Sequence, residues 1–286
     1  MANIKLRYEP LLKAKLDAFR YQSEAFERIK SFEYAAIFHE QGLGKTKIAI
    51  DLGLYWLEQK VVDTVIIVAK KGLIKNWQDE LKMHSHIIPL TFTQNSKNNF
   101  YAFNTPKRLI LTHYEVLKKE EERFKLYFNS RKMGIILDES TKIKNPYSTL
   151  GRSVINLGPL CKRRVIISGT PIANRPYDIW NQIYFLDSGK HLGLSFDDFK
   201  SSLDMSTNLT KSINRKHFES FLSWVWPKIS NFCIRETKDG CQIDLPDKKF
   251  TTIFSEWETR QHDIYNEVRE ELKTIVIKNG MPTEDN

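Results

Sequence analysis

Sulfur chemistry is nearly missing from this chain. Its three cysteines, Cys161, Cys233 and Cys241, are odd in number and form no C-x-x-C pair. That argues against a disulfide framework or a zinc ribbon and for a reducing compartment. Long apolar runs are missing too: none approaches the roughly 18 residues of a membrane-spanning helix. The N-terminus mixes charges with apolar residues and lacks a secretory pattern. There is no internal repeat and no long low-complexity tract. The seven histidines are scattered. His84 and His86 could share one strand face, but no further ligands stand nearby, which favours a core or surface role over metal binding. The expectation is an intracellular protein of cytoplasm, nucleoid or nucleus, with no membrane partner.

What is present is a basic chain of 286 residues with 41% hydrophobic content. That supports a substantial core and suits one large α/β domain with an added subdomain. The net charge of +9 suggests a polyanionic partner, with a generically basic surface as the plainer reading. Short β-rich runs alternate with helical patterns from Glu33 to about Leu186. The strands expected are Ala35–Phe38, Thr64–Ala69, Ile87–Phe92, Leu109–Thr112, Gly134–Leu137 and Arg164–Ser168. Several are continuous apolar runs, as strands buried on both faces of a parallel sheet should be. Alternation of this kind predicts a doubly wound α/β fold whose loops gather at the C-terminal ends of the strands. Residues 1–34 read as a lead-in with one amphipathic helix near Ser23–Lys30. Residues 187–232 read as a helical insertion, with Phe218, Phe221, Leu222 and Val225 on one face. Gly240–Lys249 reads as a connector, and Glu256–Ile277 as a final charged helix.

The chemistry concentrates in Glu40-Gln41-Gly42-Leu43-Gly44-Lys45-Thr46. An apolar strand precedes it, and a helix with Ile48, Ala49, Leu52, Tyr55 and Trp56 at helical spacing follows. Strand, glycine loop, helix is the context of a phosphate-binding loop. Glycines let the backbone approach phosphate oxygens, and the next helix presents its positive end to the anion. Lys45 can reach the β- and γ-phosphates, and the Thr46 hydroxyl can ligate Mg2+. The strict motif begins with glycine at the position of His39. A second element, Ile135-Ile136-Leu137-Asp138-Glu139, is an apolar strand ending in two carboxylates. In nucleotide hydrolases the first holds magnesium and the second orients and deprotonates the attacking water.

These segments, taken in order, resemble the first RecA-like lobe of a superfamily 2 helicase, and more closely the Snf (chromatin-remodeller) branch of double-stranded DNA translocases. Phe19-Arg20-Tyr21-Gln22 is similar to that branch's glutamine motif. Glu40–Thr46 resembles motif I, and Ile66–Ala69 through Trp77 and Glu80 resembles motif Ia. Leu109–Leu117 resembles the next DNA-tracking segment. Asp138-Glu139 with Lys142-Ile143-Lys144-Asn145 resembles motif II, and Ser168–Asn174 motif III. Ile234–Lys238 with Leu245-Pro246 resembles the segment that ends the lobe, and Gln261 and Tyr265 the bridge beyond it. The match runs over roughly residues 16–270.

The resemblance implies a RecA-like P-loop domain, with a mainly parallel sheet flanked by helices and a helical insertion. The lead-in would span 1–34, the ATP-binding lobe 35–250 and a bridging segment 251–286. ATP would be bound by Arg20, Gln22, Gln41, Gly42, Leu43, Gly44, Lys45, Thr46 and Asp138, with Thr46 and Asp138 on Mg2+. Lys45 and Glu139 would be catalytic. Thr141, Ser168, Gly169 and Thr170 would couple nucleotide state to DNA. Lys70, Lys71, Thr112 and Lys144 would contact duplex DNA, with Trp77 as either a further contact or a core residue.

Several positions depart from the branch. Thr141 stands where a histidine is usual, after Ser140 in place of a small residue, and its hydroxyl could still bond across to motif III. Lys70 stands where proline is common and suits either a phosphate contact or a solvated face. Glu236 replaces the second of two arginines. The branch draws its arginine finger from a second RecA-like lobe, so this stretch alone is expected to bind ATP and hydrolyse it very slowly. An RNA or single-strand unwinding helicase of the same superfamily, and a scaffold module with a degenerate ATP site, are the alternative readings.

Overall fold

Thr64–Ala69 forms strand β2, and all six residues are buried, as its unbroken apolar run requires. The computed structural model describes residues 6–172, 175–203, 223–241 and 251–278, excepting the side chains of 272–278. The chain divides into two units, Met1–Ile243 and Asp244–Asn286.

In the first unit the other strands are β1 (Tyr34–Ile37), β3 (Leu90–Thr91), β4 (Leu109–His113), β5 (Met133–Asp138), β6 (Cys161–Ile167) and β7 (Cys233–Ile234). They form one sheet in the order β3-β4-β2-β5-β6-β1-β7, and every pairing is parallel. The sequence expectation of a parallel α/β sheet flanked by helices therefore holds.

Period-2 side-chain alternation sorts the strands onto two cores. Ala35, Ile37, Val65, Ile67, Ile136 and Val165 face one side. Helices α1 (Arg20–Ile29), α2 (Lys45–Glu58) and α3 (Ile74–His84) cover it. Ala36, Ile66, Val68, Ile135, Leu137 and Ile166 face the other. There α4 (Ser96–Phe103), α5 (Tyr114–Lys119), α6 (Glu121–Asn129), α7 (Thr149–Leu157) and α8 (Trp180–Asp187) pack, with α9 (Phe196–Ser201) beyond. In β5, Gly134 lets Trp56 of α2 lie against the sheet: a Cβ there would stand 3.1 Å from the indole ring.

Three expectations shift. The strand sought at Ile87–Phe92 shrinks to Leu90–Thr91. Pro89 has no N–H to give a ladder, and Ile88 points to solvent at 81% exposure. Strand β7, only two residues long, is too short to leave a periodic signal. The first helix begins at Arg20 rather than Ser23, because the Phe19 N–H donates to Gln22 Oε1 at 3.0 Å and closes its N-terminus.

In the region read as an insertion, α9 and helical residues 223–229 are helical. Val225 is buried on the main core, whereas Phe218, Phe221, Leu222, Leu245 and Pro246 lie outside the described residues. The second unit contains a helix, Thr259–Lys278. It carries Gln261 and Tyr265, the latter edge-on to Trp257 at 4.7 Å between ring centres. Among the described residues no helix is long and apolar enough to cross a membrane.

Candidate functional site

The loop after β1 is built to be empty of side chains where an anion would lie. Gly42 has φ +87° and Gly44 φ +63°, the left-handed region that favours glycine. At Gly44 a Cβ would also come within 2.1 Å of Gln22 Nε2, so any larger residue there would push the Gln22 amide aside. Leu43 between them is fully buried and anchors the loop. Helix α2 then starts at Lys45 with no side-chain cap and no acidic residue in its first turn. Its free N–H groups and positive dipole end are left for an external anion.

Lys45 Nζ donates to the carbonyls of His39 at 2.8 Å and Glu40 at 3.0 Å. Burial lowers its pKa, and Glu139, Asp138 and Glu40 act against that shift. Thr46 is half-buried in the first turn of α2, and Gln41 is exposed at the loop. The glycine that a strict motif would put at His39 is not needed, since His39 is not among the positive-φ residues. It is fully buried and offers its carbonyl to Lys45. The stretch after β7 clips the start of the loop: Glu40 N–H donates to Glu236 O at 2.9 Å. Lys238 N–H in turn donates to Glu40 Oε2 at 2.9 Å.

Asp138 ends β5 and Glu139 follows it, one strand removed from β1 across β6. Asp138 Oδ2 accepts from Trp77 Nε1 at 2.8 Å, and Oδ1 accepts the Glu139 N–H at 2.9 Å. Tyr114 Oη donates to the Asp138 carbonyl at 2.7 Å. Burial raises the Asp138 pKa, the indole hydrogen bond opposes that, and the Glu139 charge adds to it. Trp77 is 2% exposed, so it serves as a donor to Asp138 and not as a DNA contact. Glu139 has a left-handed backbone, φ 50° and ψ 54°, and its carboxylate lies 3.7 Å from Lys70 Nζ.

Gln22 is buried. Its Nε2 reaches the Leu43 carbonyl at 3.5 Å, against the glycine loop. Beside it, Phe19 and Tyr21 stack at 6.0 Å. Arg20 points to solvent and pairs with Glu24 at 2.8 Å, so no contact brings it to the loop.

After β6, Ser168 Oγ accepts from Thr170 N–H at 3.2 Å. A Cβ on Gly169 would lie 3.0 Å from Gln41 and 3.5 Å from Lys45 Nζ, so this segment flanks Lys45. Ala173 and Asn174 lie outside the described residues. The half-exposed Thr141 makes no side-chain hydrogen bond among the described residues. Instead Ser140 Oγ donates to Gln182 Oε1 at 2.7 Å, and Gln182 Nε2 donates to the Pro171 carbonyl at 2.7 Å. Gln182 was not foreseen from sequence.

Of the residues expected at DNA, Lys71 is exposed and Lys70 half-exposed. Lys144 pairs with the buried Asp178 at 3.0 Å. Thr112 corrects its expectation: it is fully buried within β4 and offers nothing to a duplex. An isolated threonine ending an apolar strand reads equally as a core residue, and here the all-buried pattern of β4 decides.

The sequence model of the SNF2-related domain matches residues 30–285. The chain is 26% identical over 263 residues to the chromatin-remodeling ATPase INO80 of Sclerotinia sclerotiorum, an alignment covering 86% of this chain and 15% of that protein. It is 26% identical over 276 residues to an uncharacterized ATP-dependent helicase of Mycoplasma genitalium, covering 92% of this chain and 25% of the relative. Among solved structures, the Sulfolobus solfataricus SWI2/SNF2 ATPase core in complex with dsDNA superposes with a TM-score of 0.63 at 25% identity. That superposition covers 97% of this chain and 57% of the other. The chain thus spans a quarter or less of the length of these two sequence relatives.

Proposed function

The chain belongs to the SNF2-related domain family, and from that premise we propose that it is the ATP-binding lobe of an enzyme coupling ATP hydrolysis to movement on duplex DNA. One observation carries the reading. The glycine loop and the uncapped start of α2 after β1, and Asp138 and Glu139 at the end of β5, lie on one edge of the same parallel sheet. That is the arrangement phosphoryl transfer needs: positioning, charge neutralisation and an oriented nucleophile.

In this reading the loop N–H groups and Lys45 take the phosphates. Glu139 orients and deprotonates the attacking water. Thr46 and Asp138 would hold magnesium, which supplies charge neutralisation on the phosphates. Their donors fit that ion: both are oxygens, and the Asp138 carboxylate keeps lone pairs beyond the bonds from Trp77 and Glu139. Among the described residues no three His, Cys, Asp or Glu side chains converge, consistent with an ion held largely by substrate phosphates and water. Gln22, beside the stacked Phe19 and Tyr21, would meet the adenine edge.

Duplex contact follows from the strand order. Lys70 and Lys71 follow β2, and the exposed Lys142 follows β5. These strands are neighbours, so the basic groups lie along the half of the sheet edge away from β1. The relative solved with dsDNA supports this partner.

The test is titration of a fluorescent ATP analogue against wild type and Lys45→Ala. Loss of one charge-assisted contact should weaken binding roughly 10- to 100-fold. Equal affinity would remove the phosphate-loop assignment.

A further inference from the structure

We propose that Gln182 is a positioning residue for hydrolysis, holding the turn that carries Glu139 and tying it to the loop beside Lys45. The inference rests on Glu139 being the base in the reading above, but its evidence is separate. A left-handed backbone at a non-glycine residue persists only where its surroundings over-determine it. Glu139 is such a residue, and the turn after it, Ser140–Ile143, is gripped from one side.

Three contacts make the grip, all from α8 or the turn before it. Ser140 Oγ donates to Gln182 Oε1 at 2.7 Å. Asn181 Nδ2 donates to the Ile143 carbonyl at 2.5 Å. Lys144 Nζ lies 3.0 Å from Asp178 Oδ2. Gln182 and Ser140 are both fully buried.

Gln182 also reaches the loop after β6. Its Nε2 donates to Pro171 O at 2.7 Å and to Asp178 O at 2.8 Å. Both amide hydrogens then point at carbonyls and the amide oxygen at a hydroxyl, so the side chain has one workable orientation. Pro171 belongs to the segment whose Gly169 lies beside Gln41 and Lys45. A single buried amide therefore joins the turn of the proposed base to the loop flanking the phosphate lysine. The link that the family resemblance assigned to position 141 is made one residue earlier, by Ser140.

The experiment uses Ser140→Ala, Gln182→Leu and the double variant of this chain. Two quantities are measured: affinity for a fluorescent ATP analogue, and single-turnover hydrolysis with protein in excess over γ-labelled ATP. A positioning role predicts a rate lowered roughly 10- to 100-fold by either substitution at unchanged affinity. The double variant should be no slower than the worse single one, because both break the same link. Should Gln182→Leu fail to fold, Ser140→Ala, which deletes one oxygen, carries the test. Wild-type rates in both single variants would overturn the proposal. So would rate and affinity falling together, the mark of a merely loosened site. A rate loss in Thr141→Ala alone would return the link to Thr141 and equally overturn it. Failure of the ATP-site reading is distinguishable, because it would appear as equal nucleotide affinity in Lys45→Ala.

Discussion

His39 sits fully buried at the start of the glycine loop. Burial first, and the Lys45 ammonium second, lowers its pKa from 6.5 to about 4. Between those values the unfolded chain takes up a proton that the folded chain refuses. Stability contributed by this residue is therefore complete above about pH 6.5 and is lost as pH falls toward 4. The full difference is at most about 3.5 kcal/mol, and less where the loop's polarity softens the burial. Melting curves of wild type and His39→Gln at pH 7 and pH 5 check this. Wild type should lose more stability than the variant over that interval, and parallel losses would refute the assignment. At this scale the sequence was legible where chemistry is local. The left-handed turns of Gly42 and Gly44 and the strand ending at Asp138 are announced by the residues beside them. Trp77 and Gln182 are not, because their partners Asp138 and Ser140 lie 61 and 42 positions away. A buried tryptophan or glutamine has no pattern that names such a partner.

At the scale of elements, the start of α7 is packed against the tail of the carboxylate turn. Ser148 Oγ accepts the Gly151 N–H at 3.0 Å and caps the helix. A Cβ on Gly151 would stand 2.4 Å from the Asn145 carbonyl and 3.3 Å from Asn181 Nδ2. Backbone cannot swing away as a flexible side chain can. Gly151→Ala should therefore cost about 1–3 kcal/mol by overpacking, despite alanine's better helix propensity. The expected readout is a lower urea midpoint at unchanged slope, and a midpoint at or above wild type would contradict the packing account. The elements themselves were largely legible. Continuous apolar runs gave β2 and β4 to within a residue, because a strand covered on both faces must be apolar throughout. Edges were less so. β3 is cut short after Pro89, and β7 owes its place to main-chain pairing with β1, which two residues cannot announce.

For the whole molecule, the strand order divides the C-terminal edge of the sheet. The glycine loop follows β1 and Ser168–Ile172 follows β6, on one side. Lys70 and Lys71 follow β2 and His113 ends β4, on the other. β5 stands between β2 and β6, so Asp138 and Glu139 lie where the two halves meet. The 3.7 Å approach of Lys70 to Glu139 crosses that boundary. With both charges part-exposed, it is a weak pair that a phosphate could displace. If the basic half tracks a duplex through phosphates, binding must be governed by counterion release and not by base sequence. A plot of log affinity against log salt should then be linear for any duplex, and each lost phosphate contact should flatten its slope by about 0.9. Lys71 is exposed and no described residue pairs with it, so Lys71→Ala should weaken binding to two unrelated duplexes equally and flatten both slopes by that amount. Fluorescence anisotropy over a salt series makes the measurement. An unchanged slope would move the duplex off this half of the edge, while a loss confined to one sequence would mean that bases are being read.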